Sequence, residues 1–380
     1  MRESKLLIIF GDDGYNTLGC IRCCGIMGIP MFVLLVCNSW VCPTLSSVYV
    51  KRYKKVRSEQ AGLEELFAQR EEWKGSIILP TSDTAEKVLG DNAIKLRPYY
   101  LFPYSNTKCG INSLMYKNKQ VDLAQKAGLN VPQTFFFSKD DPIPSAVVYP
   151  CIIKQANSVE GEKQKLAVCR NKDNLIKELA KASHTTEFVI QQYIDRKYEL
   201  LLIGCRLPDG STIIPGVFKK ERWYFKGNDA SYGVISTDVN KYFSQLDAVG
   251  RLMESMEYFG PFSIEFGVVD DIPYFYEVNL RNDGTSHYFH KAGIFIPYLY
   301  YKAFSEADFV IPMTQKSEYR FIDEFGDAVN IVSTKLSFLR WFKDLTSASA
   351  FKYYSKDDIK PFVLMFPRRF AATIYHMFFS

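Results

Sequence analysis

One predicted hairpin, residues 262–279, constrains the fold of this chain more than any other segment. Its two runs of apolar and polar residues are joined by Asp270-Asp271, a pair typical of a tight turn between antiparallel strands. With the turn centred near Asp271, Glu265 lies across from Glu277, at a Cβ separation of about 5 Å. Because side chains alternate along a strand, Asn279 projects from the same side as Glu277.

Two carboxylates placed opposite each other repel, so this arrangement predicts a cation between them. Two carboxylates and the Asn279 amide form an all-oxygen set that Mg²⁺ accepts. The alternative is an exposed hairpin face with solvated charges. The apolar residues Phe266 and Phe275 favour packing of one face instead.

A second candidate site is the lysine that ends the apolar run Tyr149-Pro-Cys-Ile-Ile-Lys154. A lysine that closes a buried strand must find an anion or keep its ammonium in water, since an unpaired buried charge costs several kcal/mol, and phosphate is a natural partner. The polar loop 157–165 follows, with Gly161 and two more lysines. This loop predicts either a flap over phosphates or an ordinary charged hairpin tip.

The start of the chain predicts a parallel α/β layer. Apolar runs at 5–10, 31–36 and 76–80 alternate with helical patterns, one of them over 64–72, as in β-α-β units. A helix is predicted over 113–128. Further along, a strand over 131–137 and helices over 172–183 and 245–258 indicate a mixed α+β module, and residues beyond about 315 show weak periodicity.

Composition excludes several classes of protein. The 380 residues are 47% hydrophobic with a net charge of +5, which excludes a disordered chain and gives no argument for nucleic-acid binding. No apolar stretch reaches the roughly 20 residues of a membrane span. Nine irregularly spaced cysteines favour a reduced, cytosolic protein, with a zinc site at Cys20, Cys23, Cys37 and Cys42 as the weaker alternative. The aromatic and basic tail, 362–379, is expected to dock on the protein, or else to rest weakly at a membrane surface.

Two further groups of residues leave their role open. His287 and His290 follow the hairpin, and their spacing of three places both on one helix face. There they either form a metal-binding pair or hydrogen-bond backbone or substrate, with His287 near a pocket. Lys219, Lys220, Arg222 and Lys226 form a basic cluster that either binds phosphate or carboxylate, or lines a solvated strand edge.

A strand ending in lysine, a small flap, a strand leading into the linker 191–195, and a hairpin reading Glu277-x-Asn279-x-Arg281 occur here in this order. This order resembles the ATP-grasp superfamily over about residues 113–304. The resemblance implies an α/β and α+β fold: a parallel pre-ATP-grasp domain, then a two-part ATP-grasp fold that holds ATP between two mixed sheets. The predicted domains are 1–112, 113–314 (a flap-bearing part about 130–195 and a metal-binding part about 196–314), and an appended region 315–380.

The resemblance also implies a role for each matching residue. Lys117 and Lys154 contact the ATP phosphates, and Gly161 lets the flap approach them. Gln191 faces the adenine amino group, the backbone of Gln192, Tyr193 and Ile194 takes the ring edge, and Glu199 binds the ribose. Glu265, Glu277 and Asn279 hold two Mg²⁺ ions, with Mn²⁺ as a substitute. Arg281 and Lys154 are the implied catalytic residues.

The implied activity is that of a cytoplasmic carboxylate-amine ligase, which activates an acid as an acyl phosphate. Its partners are small acids and amines, and a homodimer is left open. Departures from the family pattern are Gln191 in place of a carboxylate, a flap poor in glycine, and Tyr116 where an aspartate often stands. These departures leave a non-catalytic ATP-binding regulatory module as an alternative. A phosphotransferase that uses the same ATP site is the other.

Overall fold

A computed structural model describes residues 5–108, 110–138, 141–155, 167–181, 187–224, 229–306, 316–334 and 336–367. In the strand that ends at Gln155, this description leaves out the side chains of Lys154 and Gln155. Within the stated ranges the strands form three sheets. None of the helices in these ranges has the length and apolar character needed to cross a bilayer.

The N-terminal sheet is parallel and its strands and helices alternate along the chain, as predicted. Residues Leu7 to Phe10 are fully buried because helices cover both faces of a parallel sheet. The predicted strands 5–10, 31–36 and 76–80 are confirmed to within two residues, and one further strand was not predicted. The elements are Leu7–Asp12 (β1), Tyr15–Ile26 (α1), Met31–Val36 (β2), Tyr53–Val56 (β3), Glu59–Ala68 (α2), Ile77–Pro80 (β4), Asp83–Asp91 (α3) and Ala93–Leu96 (α4). The strand order is β3-β2-β1-β4.

The predicted helix over 113–128 is wrong as one element, because Tyr116 is extended and divides it. A short strand, Tyr104–Ser105 (β5), comes first, followed by the helices Gly110–Leu114 (α5) and Lys117–Lys126 (α6). Gln120 bridges this break: its Nε2 donates to the Leu114 carbonyl at 2.9 Å. The division places Lys117 at the first position of α6.

The second sheet is antiparallel and small. It has the order β6-β9-β7-β8, from strands Thr134–Ser138 (β6), Cys151–Gln155 (β7), Ala167–Cys169 (β8) and Glu187–Gln192 (β9). The helix Lys172–Lys181 (α7) lies between β8 and β9 in sequence and matches the predicted helix 172–183 as far as the described residues extend. The loop 157–165, with Gly161, lies outside the described residues.

The third sheet is the largest and carries the predicted hairpin. Its elements are Tyr198–Arg206 (β10), Thr212–Trp223 (β11), Ala230–Ser236 (β12), Leu246–Ser255 (α8), Tyr258–Val269 (β13), Ile272–Asn279 (β14), Ile296–Ser305 (α9), Glu318–Ile322 (β15), Gly326–Ser333 (α10), Phe338–Ser347 (α11) and Ala350–Phe351 (β16). The order is β14-β13-β10-β11-β12-β15-β16, with β5 paired to β13. The predicted helix 245–258 ends earlier, because the chain enters β13 at Tyr258.

The C-terminal region is joined to the large sheet by backbone pairing. β15 pairs antiparallel with β12, and β16 pairs parallel with β15. Phe362 stacks on Phe325, with ring centroids 5.3 Å apart, so the chain packs back on the protein up to residue 367. The rest of the tail, 368–380, lies outside the described residues. The domain limits given above remain predictions.

Candidate active site

The acidic hairpin owes its register to a turn and a bulge. Asp270 and Asp271 have φ values of 49° and 62°, a left-handed conformation that aspartate tolerates in two-residue turns. From this turn the strands pair regularly as far as Phe266 and Phe275, and then the register shifts by one residue. Tyr276 is the extra residue of this bulge. The bulge leaves Glu265 paired with Glu277, as predicted.

Gly267 makes room for the bulged tyrosine. A Cβ atom added at Gly267 would overlap the Tyr276 hydroxyl oxygen. Two residues before Glu265 on the same strand, Ser263 pairs with Asn279. The Asn279 Nδ2 donates to the serine hydroxyl at 3.3 Å. The structure therefore brings the three predicted metal ligands onto neighbouring register positions of one hairpin.

Two lysines neutralise the paired carboxylates. Lys220 Nζ lies 3.0 Å from Glu265 Oε2, and Lys117 Nζ lies 3.6 Å from Glu277 Oε2. Both acids keep some contact with solvent, with side chains 22% and 34% exposed. Each carboxylate already has a cationic partner and remains accessible to solvent, so the pair is suited to binding a divalent metal ion.

The electrostatics of Glu265 and Lys220 follow from burial and from each other. Burial raises the pKa of Glu265 to about 7; Lys220 opposes this shift, and the Glu277 charge adds to it. Burial alone would lower the pKa of Lys220, but Glu265 and Glu199 outweigh it, so this pKa is raised and the lysine is charged. Of the described members of the basic cluster, Lys220 belongs to the site, and Lys226 lies outside the described residues. Arg222 instead pairs with Asp327 and Asp344.

Glu199 is held by two residues of β11 and by Arg196 of the linker before β10. Lys220 Nζ lies 3.5 Å from one carboxylate oxygen, and Trp223 Nε1 donates to it at 3.1 Å. Arg196 Nε lies 2.5 Å from the other oxygen as an ion pair, at an angle outside that of a hydrogen bond, and its guanidinium covers the Trp223 ring. These contacts fix the carboxylate that the resemblance assigns to ribose.

Backbone N–H groups predicted to meet adenine lie at the end of β9 and in the linker after it. Gln191 is buried and its Nε2 donates to Thr134 Oγ1 at 3.0 Å. The Gln192 and Tyr193 N–H groups already donate to protein carbonyls, at 2.8 and 2.9 Å. The Ile194 N–H donates to no acceptor among the residues that the structure describes. Of the three predicted backbone positions, Ile194 therefore offers the donor to a ligand.

Arg281 joins the hairpin to the N-terminal layer. Its Nε donates to Asp83 Oδ1 at 2.7 Å, and its Nη1 lies 4.0 Å from Asp283 Oδ2. Burial alone would lower the pKa of Arg281, but Asp83 outweighs it and raises this pKa, so the guanidinium stays charged. No pattern in the sequence marks Asp83 as a partner, since 198 residues separate the two.

A cavity of about 50 Å³ begins beside Glu265 and extends toward the C-terminal region. Its lining includes Tyr15, Lys220, Glu265, Asp283, Tyr288 and Lys352. The structure thus places a tyrosine of the N-terminal layer beside charged groups of the large sheet and the C-terminal region around one small space.

Sequence reasoning missed Lys352, the residue after β16. Its side chain is 5% exposed, and Nζ lies 3.0 Å from the fully buried Asp323. Burial alone would lower the pKa of Lys352, but Asp323 outweighs it and raises this pKa. The signal that singled out Lys154, a lysine directly after a short apolar strand, also marks Lys352. The Lys154 side chain itself lies outside the described residues.

The two histidines lie in the interior. His287 packs on Gly19 of α1, and its Nδ1 lies 3.8 Å from Cys23 Sγ. The imidazole rings of His287 and His290 stack at 4.7 Å. Burial lowers the pKa of both, so they are neutral rather than cationic. Neither belongs to the lining of the cavity.

The cysteines of the described residues are free thiols. The predicted zinc set is wrong in its membership, because Cys20 and Cys23 lie in α1, buried in the interior. Among the described residues, the group that meets is Asp13 with Cys37 and Cys42.

Comparison with known proteins supports the resemblance. Residues 122–293 match the model of the ATP-grasp domain. A formate-dependent phosphoribosylglycinamide formyltransferase from a Nitratiruptor species is 24% identical over 239 residues, or 60% of this chain. The match covers 58% of that relative, less than two thirds of its length.

Solved structures share the fold at low sequence identity. N5-carboxyaminoimidazole synthetase from Staphylococcus aureus gives a TM-score of 0.68 at 14% identity, over 88% of this chain and 86% of its own. The L-amino acid ligase from Bacillus licheniformis gives 0.61 at 16% identity, over 81% and 77%. Residues 122–293 therefore match an ATP-grasp domain, and the chain shares the fold of these solved structures.

Proposed function

We propose that this chain is an ATP- and Mg²⁺-dependent ligase that joins a carboxylate to an amine through an acyl phosphate. One observation carries the proposal: Glu265 and Glu277 are paired across the hairpin, each beside a lysine, at the edge of a small cavity. The relatives support it, since they include an amino acid ligase and a formyltransferase that acts on phosphoribosylglycinamide.

Glu265, Glu277 and Asn279 would hold Mg²⁺, as two ions, with Mn²⁺ as a substitute. The metal supplies charge neutralisation on the ATP phosphates. Lys220 and Lys117 now lie against the two carboxylates. With metal bound there, the same ammonium groups are available to phosphate oxygens, because the carboxylates no longer need them. Lys154 and Gly161 complete the phosphate contacts in this proposal.

The nucleoside lies, in this proposal, between the small sheet and the large sheet. Gln191 meets the adenine amino group, and the Ile194 N–H donates to the ring edge, with Gln192 and Tyr193 lining it. Glu199 receives the ribose hydroxyls. Support comes from the Ile194 N–H, which has no acceptor in the described part of the chain, and from the contacts that fix Glu199.

The cavity would hold the acid. Lys220 and Lys352 attract its carboxylate, which must approach the triphosphate against strong repulsion. One carboxylate oxygen attacks the γ-phosphorus, the bond to the β-phosphate oxygen breaks, and ADP leaves. The amine then attacks the acyl carbon, phosphate leaves with the bonding pair, and the amine loses a proton. Arg281 stabilises the charge on the transferring phosphoryl group.

We also propose a cytoplasmic location, supported by the free thiols of the described cysteines and by the need for ATP. The partners are small acids and amines. A homodimer and a weak contact of the tail with a membrane surface remain predictions.

Release of ADP from pooled amino acids and sugar acids, each with pooled amines, tests the activity. The expected result is Mg²⁺-dependent ADP release with an amide product in mass spectrometry, and a hydroxamate when hydroxylamine replaces the amine. Binding of ATP without ADP release from any pair would favour the regulatory module. A stable phosphorylated product formed without amine would favour the phosphotransferase.

A further inference from the structure

Asp13, Cys37 and Cys42 meet at the carboxyl edge of the N-terminal sheet, outside the candidate active site. Asp12 of β1 pairs in register with Val36 of β2, so Asp13 and Cys37 directly follow two neighbouring strand ends. A short loop then returns the chain to Cys42. A carboxylate oxygen and the two Sγ atoms all lie within 4.8 Å of one another.

The Asp13 carboxylate has one oxygen without a donor. The Thr44 N–H donates to Oδ1 at 3.0 Å and fixes the orientation of the carboxylate. Oδ2 is shielded from solvent and receives no hydrogen bond within the described part of the chain. An unsatisfied buried acceptor costs on the order of 1–3 kcal/mol. A cation bound there removes that cost.

The two thiols share one backbone acceptor. Both point at the Ser39 carbonyl, at 3.8 Å from Cys37 and 3.5 Å from Cys42. Lys55 Nζ donates to the same oxygen at 2.6 Å. A carbonyl oxygen has two lone pairs and Lys55 occupies one of them, so the two thiols compete for the other.

We propose that Asp13, Cys37 and Cys42 form a three-ligand site for a thiophilic divalent cation such as zinc, with water as the fourth ligand. Zinc binds sulfur at about 2.3 Å, so two thiolates on one ion lie about 3.8 Å apart, and the two sulfur atoms here lie within 4.8 Å of each other. Thiolate ligands select zinc over Mg²⁺, which separates this site from the acidic hairpin.

The charges of the site balance in the bound state. Each thiol gives up its proton as its sulfur–metal bond forms, so two protons are released per ion. Two thiolates and one carboxylate around a divalent ion leave a net charge of −1. The Lys55 ammonium, held at the neighbouring Ser39 carbonyl, faces that charge.

A bound ion would connect the surface loop between the two cysteines to the segment that leads from Asp13 to the cavity. Trp40, in the loop between the cysteines, is fully exposed. Asp13 lies two residues before Tyr15, which lines the cavity. Binding at this site is independent of the proposed ligase activity, so the two can fail separately.

Zinc binding to the full-length chain, reduced and stripped of metal, tests the site. Titration against a chromophoric chelator is expected to show one tight ion per chain, with two protons released. Cobalt(II) is expected to give a thiolate-to-cobalt absorption band in the near ultraviolet. Cys37→Ser with Cys42→Ser removes both signals, and Asp13→Asn weakens affinity about tenfold or more.

Cys151→Ser with Cys169→Ser is the matched control. These buried cysteines are paired in register on β7 and β8, and no carboxylate joins them in a group of potential ligands among the described residues. This variant is expected to keep the ion and the cobalt band. The proposal is overturned if the reduced wild-type chain gives no such band, or if the Cys37/Cys42 variant binds zinc as tightly as the wild type. The wild-type spectrum and Asp13→Asn decide the matter if the serine variant does not fold.

Discussion

The two sides of the cavity are built in different ways. On one side, Glu265 lines the cavity and pairs with Glu277 of the adjacent hairpin strand, and both acids remain partly exposed. On the other, Lys352 pairs with Asp323 in the interior and lies 3.4 Å from the hydroxyl of Tyr224, which is 128 residues away in sequence. The hairpin acids can therefore take part in catalysis while contributing little to the stability of the fold. The ion pair of Lys352 also stabilises the fold.

The largest effect is expected from Glu277→Gln on the hairpin side. Loss of one carboxylate from the metal site is predicted to lower Mg²⁺-dependent turnover by about 10³-fold, as when charge stabilisation is removed from an active site. The free energy of unfolding should change by less than about 1 kcal/mol, because the Glu277 side chain is 34% exposed and a neutral amide relieves its repulsion with Glu265. ADP release and urea unfolding measure the two effects.

The exposed Glu254 of α8 offers the control for this substitution. Glu254→Gln should leave both turnover and unfolding unchanged. Full turnover in Glu277→Gln would remove the metal role of the hairpin. A large loss of stability in the same variant would contradict the proposed difference between the two sides.

Lys352→Met tests the other side. Removal of this ammonium leaves the Asp323 carboxylate, which is fully buried, without its cation, and this is predicted to cost about 3–5 kcal/mol of stability. Lys352→Arg keeps the positive charge and should recover part of the lost stability, with a raised KM for the acid substrate. The exposed Lys343 of α11 gives the matched control Lys343→Met, which should stay within about 0.5 kcal/mol of the wild type. Equal stability of the two methionine variants in chemical denaturation would refute the prediction.

Gly267→Ala tests whether the hairpin site depends on its bulge. The new Cβ overlaps the Tyr276 hydroxyl, so the tyrosine must move, at a predicted cost of about 1–3 kcal/mol and with a fall in turnover. Gly250→Ala in α8 is the comparison, since a Cβ there meets nothing within 4 Å. Alanine in a helix should be neutral or stabilise by up to about 1 kcal/mol. Thermal unfolding of both variants measures the difference, and a neutral Gly267→Ala would show that the bulge tolerates a side chain.

The sequence allowed the hairpin side to be predicted because its interactions are local. The Asp270-Asp271 turn fixes the pairing, and alternation along the strands places Glu265 and Glu277 together. The bulge at Tyr276 was not predicted. The turn is centred between Asp270 and Asp271 rather than at Asp271, and this centre alone would not pair Glu265 with Glu277. The extra residue of the bulge shifts the register and restores the predicted pair.

The contacts on the Lys352 side of the cavity could not be predicted from the sequence. The contact of Lys352 with Asp323 depends on β15 joining the far edge of the large sheet, and nothing local to residue 352 reveals that pairing. The pairing of Arg281 with Asp83 is hidden in the same way, since the partners lie in different layers. The break before α6 follows from the backbone of Tyr116 and from Gln120, which a helical pattern does not display.

The smallest predicted effect is a pH dependence on the Lys352 side. Glu324 accepts hydrogen bonds from the backbone N–H groups of Lys352, Tyr353 and Tyr354. Burial first, and the Asp323 charge second, raise its pKa from 4.5 to about 7. The folded chain therefore holds a proton there that the unfolded chain has lost. The contribution of this group to stability is complete below pH 4.5 and disappears as the pH rises through 7.

Glu324→Gln removes this titration, so its Tm should fall less steeply than that of the wild type between about pH 5 and 7.5. The difference in slope corresponds to less than about 1.4 kcal/mol per pH unit. The exposed Glu72 provides the control, since Glu72→Gln should keep the wild-type slope. Parallel slopes for Glu324→Gln and the wild type would mean that Glu324 is ionised throughout, held by its three N–H donors against burial. In that case the buried side of the cavity would keep a constant charge across neutral pH, and Lys352 would have to balance two carboxylates rather than one.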